Sequence, residues 1–255
     1  MPDLPLATLT GYLDDLLRIR EIPDEPNAVN GLQVENAGRV DRLVAAVDAS
    51  LETIRAIASG GSPLLLVHHG LFWDGNVPLT GRRYRRVRAL LERNIALYSA
   101  HLPLDVHPEF GNNAVLARRL GLAAPEPFDL YRGIPIGVQG ALQPGLPRER
   151  FVARIEELLG VKVRLIAGGP ELCSRVGIIT GGAGNRIGAA EAAGLDTYLT
   201  GEGAHHTYFD AMELGVNVVY AGHYATETVG VQALAAHLSE HFELPWEFHA
   251  HPTGM

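Results

Sequence analysis

The sequence predicts an α/β protein made of two duplicated halves, in three layers, with mixed or largely parallel sheets. Three observations carry that expectation. Short apolar runs alternate with stretches at helical spacing along most of the 255 residues, as chained strand–helix–strand units require. The order strand, helix, strand, helix, strand occurs twice. The early register repeats as well: 24 residues separate Val44 from His68, and 25 separate Val176 from Gly201. Later spacing departs from the repeat, with 36 residues from His69 to Asp105 against 25 from Glu202 to Glu227.

Taken in order, Leu6, Leu9, Leu13, Leu16 and Leu17 stand near helical spacing and predict an amphipathic helix over 6–20. The turn-rich stretch EIPDEPNAVNGLQVENAG follows. RLVAAVDAS then reads as a buried strand and LETIRAIASGG as a helix stopped by glycines. PLLLV is the next strand, RRYRRVRALLERN a helix and IALYSAH a strand. In the second half SRVGIITGGAG, DTYLTGE and VNVVYAGH read as strands, separated by the helices NRIGAAEAAG and TYFDAMELG. Between the halves, PIGVQGALQPGLPRERFVARIEELLGVKVRLIAGG reads as strand, turn, helix and strand, placed with the second half or as a small lid over it. The divide is expected near 125, giving halves 1–125 and 126–255, with the C-terminal segment a candidate to pack back on the first half.

Composition narrows the function classes. With 29 acidic and 21 basic side chains, the net charge is −8 with histidine neutral. Such acidity argues against a general nucleic-acid-binding surface, though it leaves room for a local basic patch. The single cysteine, Cys173, excludes an intrachain disulfide and a thiolate zinc cage. The N-terminus shows no long apolar signal region, and no uncharged apolar run reaches about 18 residues. A cytoplasmic protein without membrane spans is the expectation.

The chemistry concentrates in histidines. Seven of the eleven fall in four short stretches: His68 and His69; His101 and His107; His205 and His206; His223. Each stretch is expected just past the C-terminal end of a strand, the edge where ligands bind in open α/β sheets. At that edge a strand gives way to a loop, so His68 and His69 need not alternate between faces, and Gly70 would supply backbone freedom for the bend. His101 is followed by Asp105 in HLPLD, and His223 stands four before Glu227 in GHYATE, one helical turn apart. Imidazole nitrogens with carboxylate oxygens suit zinc, iron, manganese or cobalt. His68, His69, Asp105, His223 and Glu227 are too many for one closed tetrahedral site, and fit two metals sharing a bridging carboxylate.

VHHGLFW, AHLPLDVHPEFGNN, LTGEGAHHTYFDAMELG and AGHYATETVG, in that order and with NAVNGLQVE upstream, resemble the NGG-interacting-factor-three (NIF-three-like) family. Its bacterial members are often called GTP cyclohydrolase I type 2 homologues or dinuclear-metal-centre hexameric proteins. The resemblance covers nearly the whole chain. It implies the NIF-three-like fold of two intertwined α/β halves. It also implies a ring-shaped homohexamer, a trimer of dimers, with two divalent metal ions per subunit facing the cavity. It further implies His68 and His69 as one ligand to each metal, Asp105 joining one metal and His223 the other, and Glu227 shared between them. His101 matches a position beside the ligands, a candidate for orienting a neighbour or carrying a proton. Glu202 and His206 would sit at the equivalent edge of the other repeat and line a substrate pocket.

Three features have two readings each. GGAG at 181–184 would cradle a phosphate or serve as a tight strand-to-helix turn. The five arginines of GRRYRRVR would be a solvated helix face, or would receive an anionic substrate. Trp73 and Phe72 would stack on a base, or pack in the core or a subunit contact. His237, His241, His249 and His251 read as structural. The functional expectation is a metal-dependent hydrolase of a nucleotide-like small molecule, GTP cyclohydrolase type 2-like by resemblance and using Glu227 and His101. The alternatives are a di-metal phosphoesterase, and a non-catalytic metal-binding ring that holds a partner or nucleic acid.

Overall fold

In the computed structural model, which describes residues 3–254, the chain divides into two units: Met1–His107 with Gly230–His251, and Pro108–Val229 with Pro252–Met255. In the first unit, β1 (Leu4–Pro5) and β3 (Arg39–Val40) form a small antiparallel pair, and helix α1 spans Leu6–Leu16. Strands β2 (Gly31–Val34), β4 (Arg42–Asp48), β5 (Pro63–His69) and β6 (Ala96–Ser99) belong to a five-stranded sheet. Helices α2 (Leu51–Ala56) and α3 (Gly81–Glu92) connect β4 to β5 and β5 to β6, and the short α4 spans Leu102–Asp105.

The second unit contributes α5 (Asn112–Leu120), β7 (Ala123–Tyr131), β8 (Ile134–Pro147), α6 (Arg148–Leu159), β9 (Arg164–Ala167) and β10 (Leu172–Ile178). A 3-10 turn at Gly184–Arg186 leads into α7 (Ile187–Ala192), followed by β11 (Thr197–Thr200), α8 (Thr207–Leu214) and β12 (Asn217–Tyr220). Helix α9 (His223–Phe242) carries the chain across the division at Gly230, and β13 (Trp246–Phe248) ends the elements of the first unit.

The sheet of the first unit runs β13-β4-β5-β6-β2. Its strands are parallel except β2, which pairs antiparallel with β6. The second sheet runs β7-β8-β10-β11-β12-β9, with β10, β11 and β12 parallel and their flanking neighbours antiparallel. Both units therefore hold three parallel strands joined by two helices, in mixed sheets. Burial explains the composition of the central strands. Leu64, Leu65, Leu66 and Val67 of β5 are all inaccessible, so both faces of this parallel strand are covered and neither needs a polar side. Val44, Ile54, Leu65, Leu90 and Leu97 join one core cluster there.

Parallel strands point their carboxyl ends to one edge. In the first unit that edge carries Asp48, His69 and, just past β6, His101. In the second it leads to Gly181, Glu202 and His223. Ser50 caps α2 by accepting a hydrogen bond from the Thr53 N–H at 3.0 Å, so the chain turns sharply away after β4.

The segment 135–169 belongs to the second unit, and strand β8 runs through Gln143–Gly145 with a local irregularity. There the pairing with β10 jumps from Ala141 to Leu146 while the strand continues. One expectation is corrected: His68 and His69 are the last two residues of β5, not residues beyond it.

Candidate functional site

In the first unit His68 is wholly buried and His69 half-buried, yet their ring centroids lie 4.8 Å apart. His69 ends the ladder, paired with Asp48. Gly70 does not adopt a left-handed φ. It leaves space instead: a Cβ there would collide with the Gln33 carboxamide, whose oxygen accepts the Leu71 N–H at 2.7 Å. His101 stands 4.9 Å from His68 and 5.7 Å from His69, ring to ring. The ligand atoms of His68, His69 and His101 all lie within 4.8 Å of one another, and this group could hold a metal ion. Asp105 Oδ2, from α4, reaches to 3.5 Å of His68 Nε2.

The orientation of these rings is fixed from behind. His68 Nδ1 is 2.9 Å from the Ala100 carbonyl, which can only accept, so Nδ1 donates there and Nε2 is left toward Asp105. His69 Nδ1 sits 2.9 Å from Asp48 Oδ1, and His101 Nδ1 sits 2.8 Å from Asp24 Oδ1. Asp24 also accepts from the Asn30 amide at 2.7 Å and the Leu102 N–H at 3.0 Å. Burial opposes ionisation of Asp24, but the hydrogen bond and charge of His101, with Asn30 and the Glu25 N–H, hold its carboxyl below the usual range. Trp73 lies edge-on to His101 at 4.9 Å and to His69 at 5.8 Å, packed against the imidazoles.

In the second unit His223 opens α9, and its Nε2 lies 3.2 Å from Oε1 of Glu227, one turn along. His223 Nδ1 is 2.7 Å from Glu202 Oε1. The hydrogen bond to Glu227 foremost, with Glu202 adding and burial opposing, raises the His223 pKa from 6.5 to about 9. Glu227 is 2% exposed and lies against Gly181, whose φ is +69°. A Cβ on Gly181 would overlap Glu227 Oε1. GGAG thus shapes the pocket of a carboxylate, and α7 behind it is only six residues long. Glu202 and the exposed His206 line an open cavity of about 340 Å³ with Gly182 and Asn185.

Four imidazoles therefore share one arrangement, with Nδ1 tied to an oxygen and Nε2 facing away from that tie. Metal-ligating histidines are held in this way, because the Nδ1 partner fixes tautomer and ring plane and makes Nε2 more basic. The residues present fit a divalent metal. Sequence reasoning missed Asp24, Asp48 and the Ala100 carbonyl. Asp48 was findable, since it ends a predicted strand at the same edge as the histidines. Asp24 sits in an irregular segment, and nothing in its neighbours marks it.

An α/β protein with histidine–carboxylate clusters at the carboxyl edges of its parallel strands is the class defined here. Residues 6–253 match the model of the Duf34/NIF3 (NGG1p interacting factor 3) family, and the chain belongs to that family. It is 45% identical over 247 residues to a Deinococcus radiodurans protein named GTP cyclohydrolase 1 type 2 homolog, covering 97% of this chain and 93% of the relative. A Halobacterium salinarum protein of the same name is 40% identical over 256 residues, covering 99% and 100%. Among solved structures, TTHA1606 from Thermus thermophilus superposes with a TM-score of 0.87 at 40% identity, covering 99% of this chain and 100% of that one. The protein ybgI, titled as of unknown function, superposes with a TM-score of 0.89 at 35% identity over 99% and 100%.

Proposed function

We propose that His68, His69 and Asp105 of the first unit and His223 and Glu227 of the second together hold two divalent ions, and that the chain is a metal-dependent hydrolase of a nucleotide-like substrate. The tethering of Nδ1 on each of the three ligand histidines to an oxygen supports this reading most directly. The names of the relatives supply the substrate class, a cyclohydrolase acting on GTP. Bound ions of this kind would supply an activated water and offset negative charge developing on the substrate.

The chain's own residues have separable tasks. Glu227, buried against Gly181, would be the carboxylate shared between the ions. His101, held at Nδ1 by Asp24, keeps Nε2 as the atom that takes up or returns a proton. Glu202 fixes the His223 ring, and its cavity with His206 is the place for the substrate's polar edge. Trp73 serves by packing against His101.

The test is metal analysis of anaerobically purified protein, followed by a screen of nucleotides and phosphoesters. About two ions per chain are expected, with loss of at least one in Glu227→Ala and hydrolysis abolished in the same variant. Metal retained with no Glu227-dependent hydrolysis would instead leave the metal-binding ring scaffold. The homohexamer implied by the family resemblance is part of the proposal: light scattering should give about six times 27.5 kDa.

A further inference from the structure

Helix α3 carries five arginines, Arg82, Arg83, Arg85, Arg86 and Arg88. Three are occupied within the protein. Arg82 bonds Asp74 Oδ1 at 2.5 Å and Arg88 bonds Glu92 Oε1 at 2.7 Å. Arg83 donates to the carbonyls of Gly75 at 2.9 Å and Val77 at 3.1 Å, and its guanidinium lies over the Phe72 ring. Arg85 is exposed. Arg86 differs from all of these: it is half-buried, yet no hydrogen bond or ion pair engages its guanidinium among the described residues.

Position adds to this. A strand–helix–strand crossover to a parallel neighbour brings the start of its helix to the carboxyl edge of the strands. The early turns of α3, following β5, thus stand at the edge that holds His69. Arg86 feels the charges of Asp74 and Asp48, against burial and the like charge of Arg82. Those two carboxylates already have partners, Arg82 and His69. They hold a cation in the neighbourhood without using its N–H groups. Its nitrogens remain accessible to solvent, so their N–H groups can meet a ligand, and the planar fork matches an oxyanion.

We propose that Arg86 binds an oxyanion of the substrate, a phosphoryl or carboxylate group, at the edge of the site beside His69. That the ligand is a substrate rests on the hydrolase reading above; the anion site itself rests on Arg86. The chain's net charge is −8, so a negatively charged substrate has few cations to meet on it, and Arg86 supplies one at this edge.

The experiment titrates the full-length protein, as purified and after chelation, with inorganic phosphate and separately with acetate, by calorimetry. Phosphate or acetate should bind in both preparations. Binding should be roughly tenfold weaker or worse in Arg86→Gln, partly kept in Arg86→Lys and unchanged in Arg85→Gln. Whichever anion shows this dependence identifies the group. Equal binding in Arg86→Gln overturns the proposal, as does an equal loss in Arg85→Gln or binding that vanishes with the metal. No binding of either anion also overturns it. Metal content, measured on the same samples, keeps the two readings apart: Arg86-dependent binding by a chain that takes up no metal would sink the dinuclear centre and leave the anion site standing. Unchanged thermal midpoints of the variants exclude misfolding as the cause.

Discussion

Gly181 decides where a buried carboxylate sits. Its φ of +69° already disfavours any side chain, and a Cβ would overlap Glu227 Oε1. Gly181→Ala is expected to push Glu227 from its place, destabilising the fold by about 1–2 kcal/mol and lowering metal content. Thermal unfolding and metal analysis read the two effects separately, and an alanine variant with unchanged metal content would refute the assigned geometry. The Nδ1 tethers act at the same scale. Asp48→Asn keeps the size of the side chain but weakens its grip on the His69 ring, 2.9 Å away. Metal affinity should fall roughly 10–100-fold with the fold intact, as competition with a chromophoric chelator would show. The histidines were legible in the sequence because so few residue types ligate metals. Their tethers were not, since Asp24 meets His101 from 77 positions away, and contacts that distant leave no local pattern.

At the scale of elements, legibility followed burial. Strand β5 is apolar from Pro63 to Val67 because both faces are covered, and such a run is hard to misread. Strand β7 was missed: its sequence AAPEPFDLY carries two prolines, tolerated because it is the edge of its sheet and lacks a neighbour on one side. The repeated strand–helix order predicted the parallel cores well, whereas the antiparallel additions β8 and β9 obey no such repeat. Helix α1 is legible from its leucines, of which Leu6, Leu9 and Leu13 are buried, and a polar contact adds to that burial: the Tyr98 hydroxyl of β6 donates to Asp14 Oδ1 at 2.8 Å. Burial, with Asp14 adding, raises the Tyr98 pKa above its ordinary value of 10. The folded phenol therefore resists ionisation that the unfolded chain undergoes. Its contribution to stability is intact below about pH 10 and declines as pH rises further. Denaturant melts between pH 9 and 11 should show that loss in the wild type and a smaller one in Tyr98→Phe. The variant itself should be less stable by about 1 kcal/mol at neutral pH; identical alkaline slopes would contradict the assignment. Strand β10 offers a second probe. Cys173 is buried there, and burial raises its thiol pKa. Labelling by a thiol reagent should be at least ~100-fold slower in native buffer than in denaturant, tracking the opening of that sheet.

For the whole molecule, the proposed ligands come from both units, three from the first and two from the second. Ions binding only the folded chain stabilise it by mass action, by about 2.7 kcal/mol at a free concentration one hundred times Kd. If one pair of ions draws on both units, their unfolding is linked: neither unit can open without giving up ligands that the other also needs. The metal-loaded protein should then melt in one calorimetric transition. Chelation should lower the midpoint and broaden or split the transition as each unit opens at its own temperature. Helix α9, whose backbone passes from one unit into the other at Gly230, would retain some coupling without metal, so broadening is the minimum expected. Removing His223 by substitution to alanine should reproduce part of the effect without chelator, separating loss of ligation from any direct action of the chelating agent. A profile unchanged by complete metal removal, in the wild type and in His223→Ala alike, would mean that the two halves of the ligand set do not share ions. Each cluster would then have to be explained within its own unit.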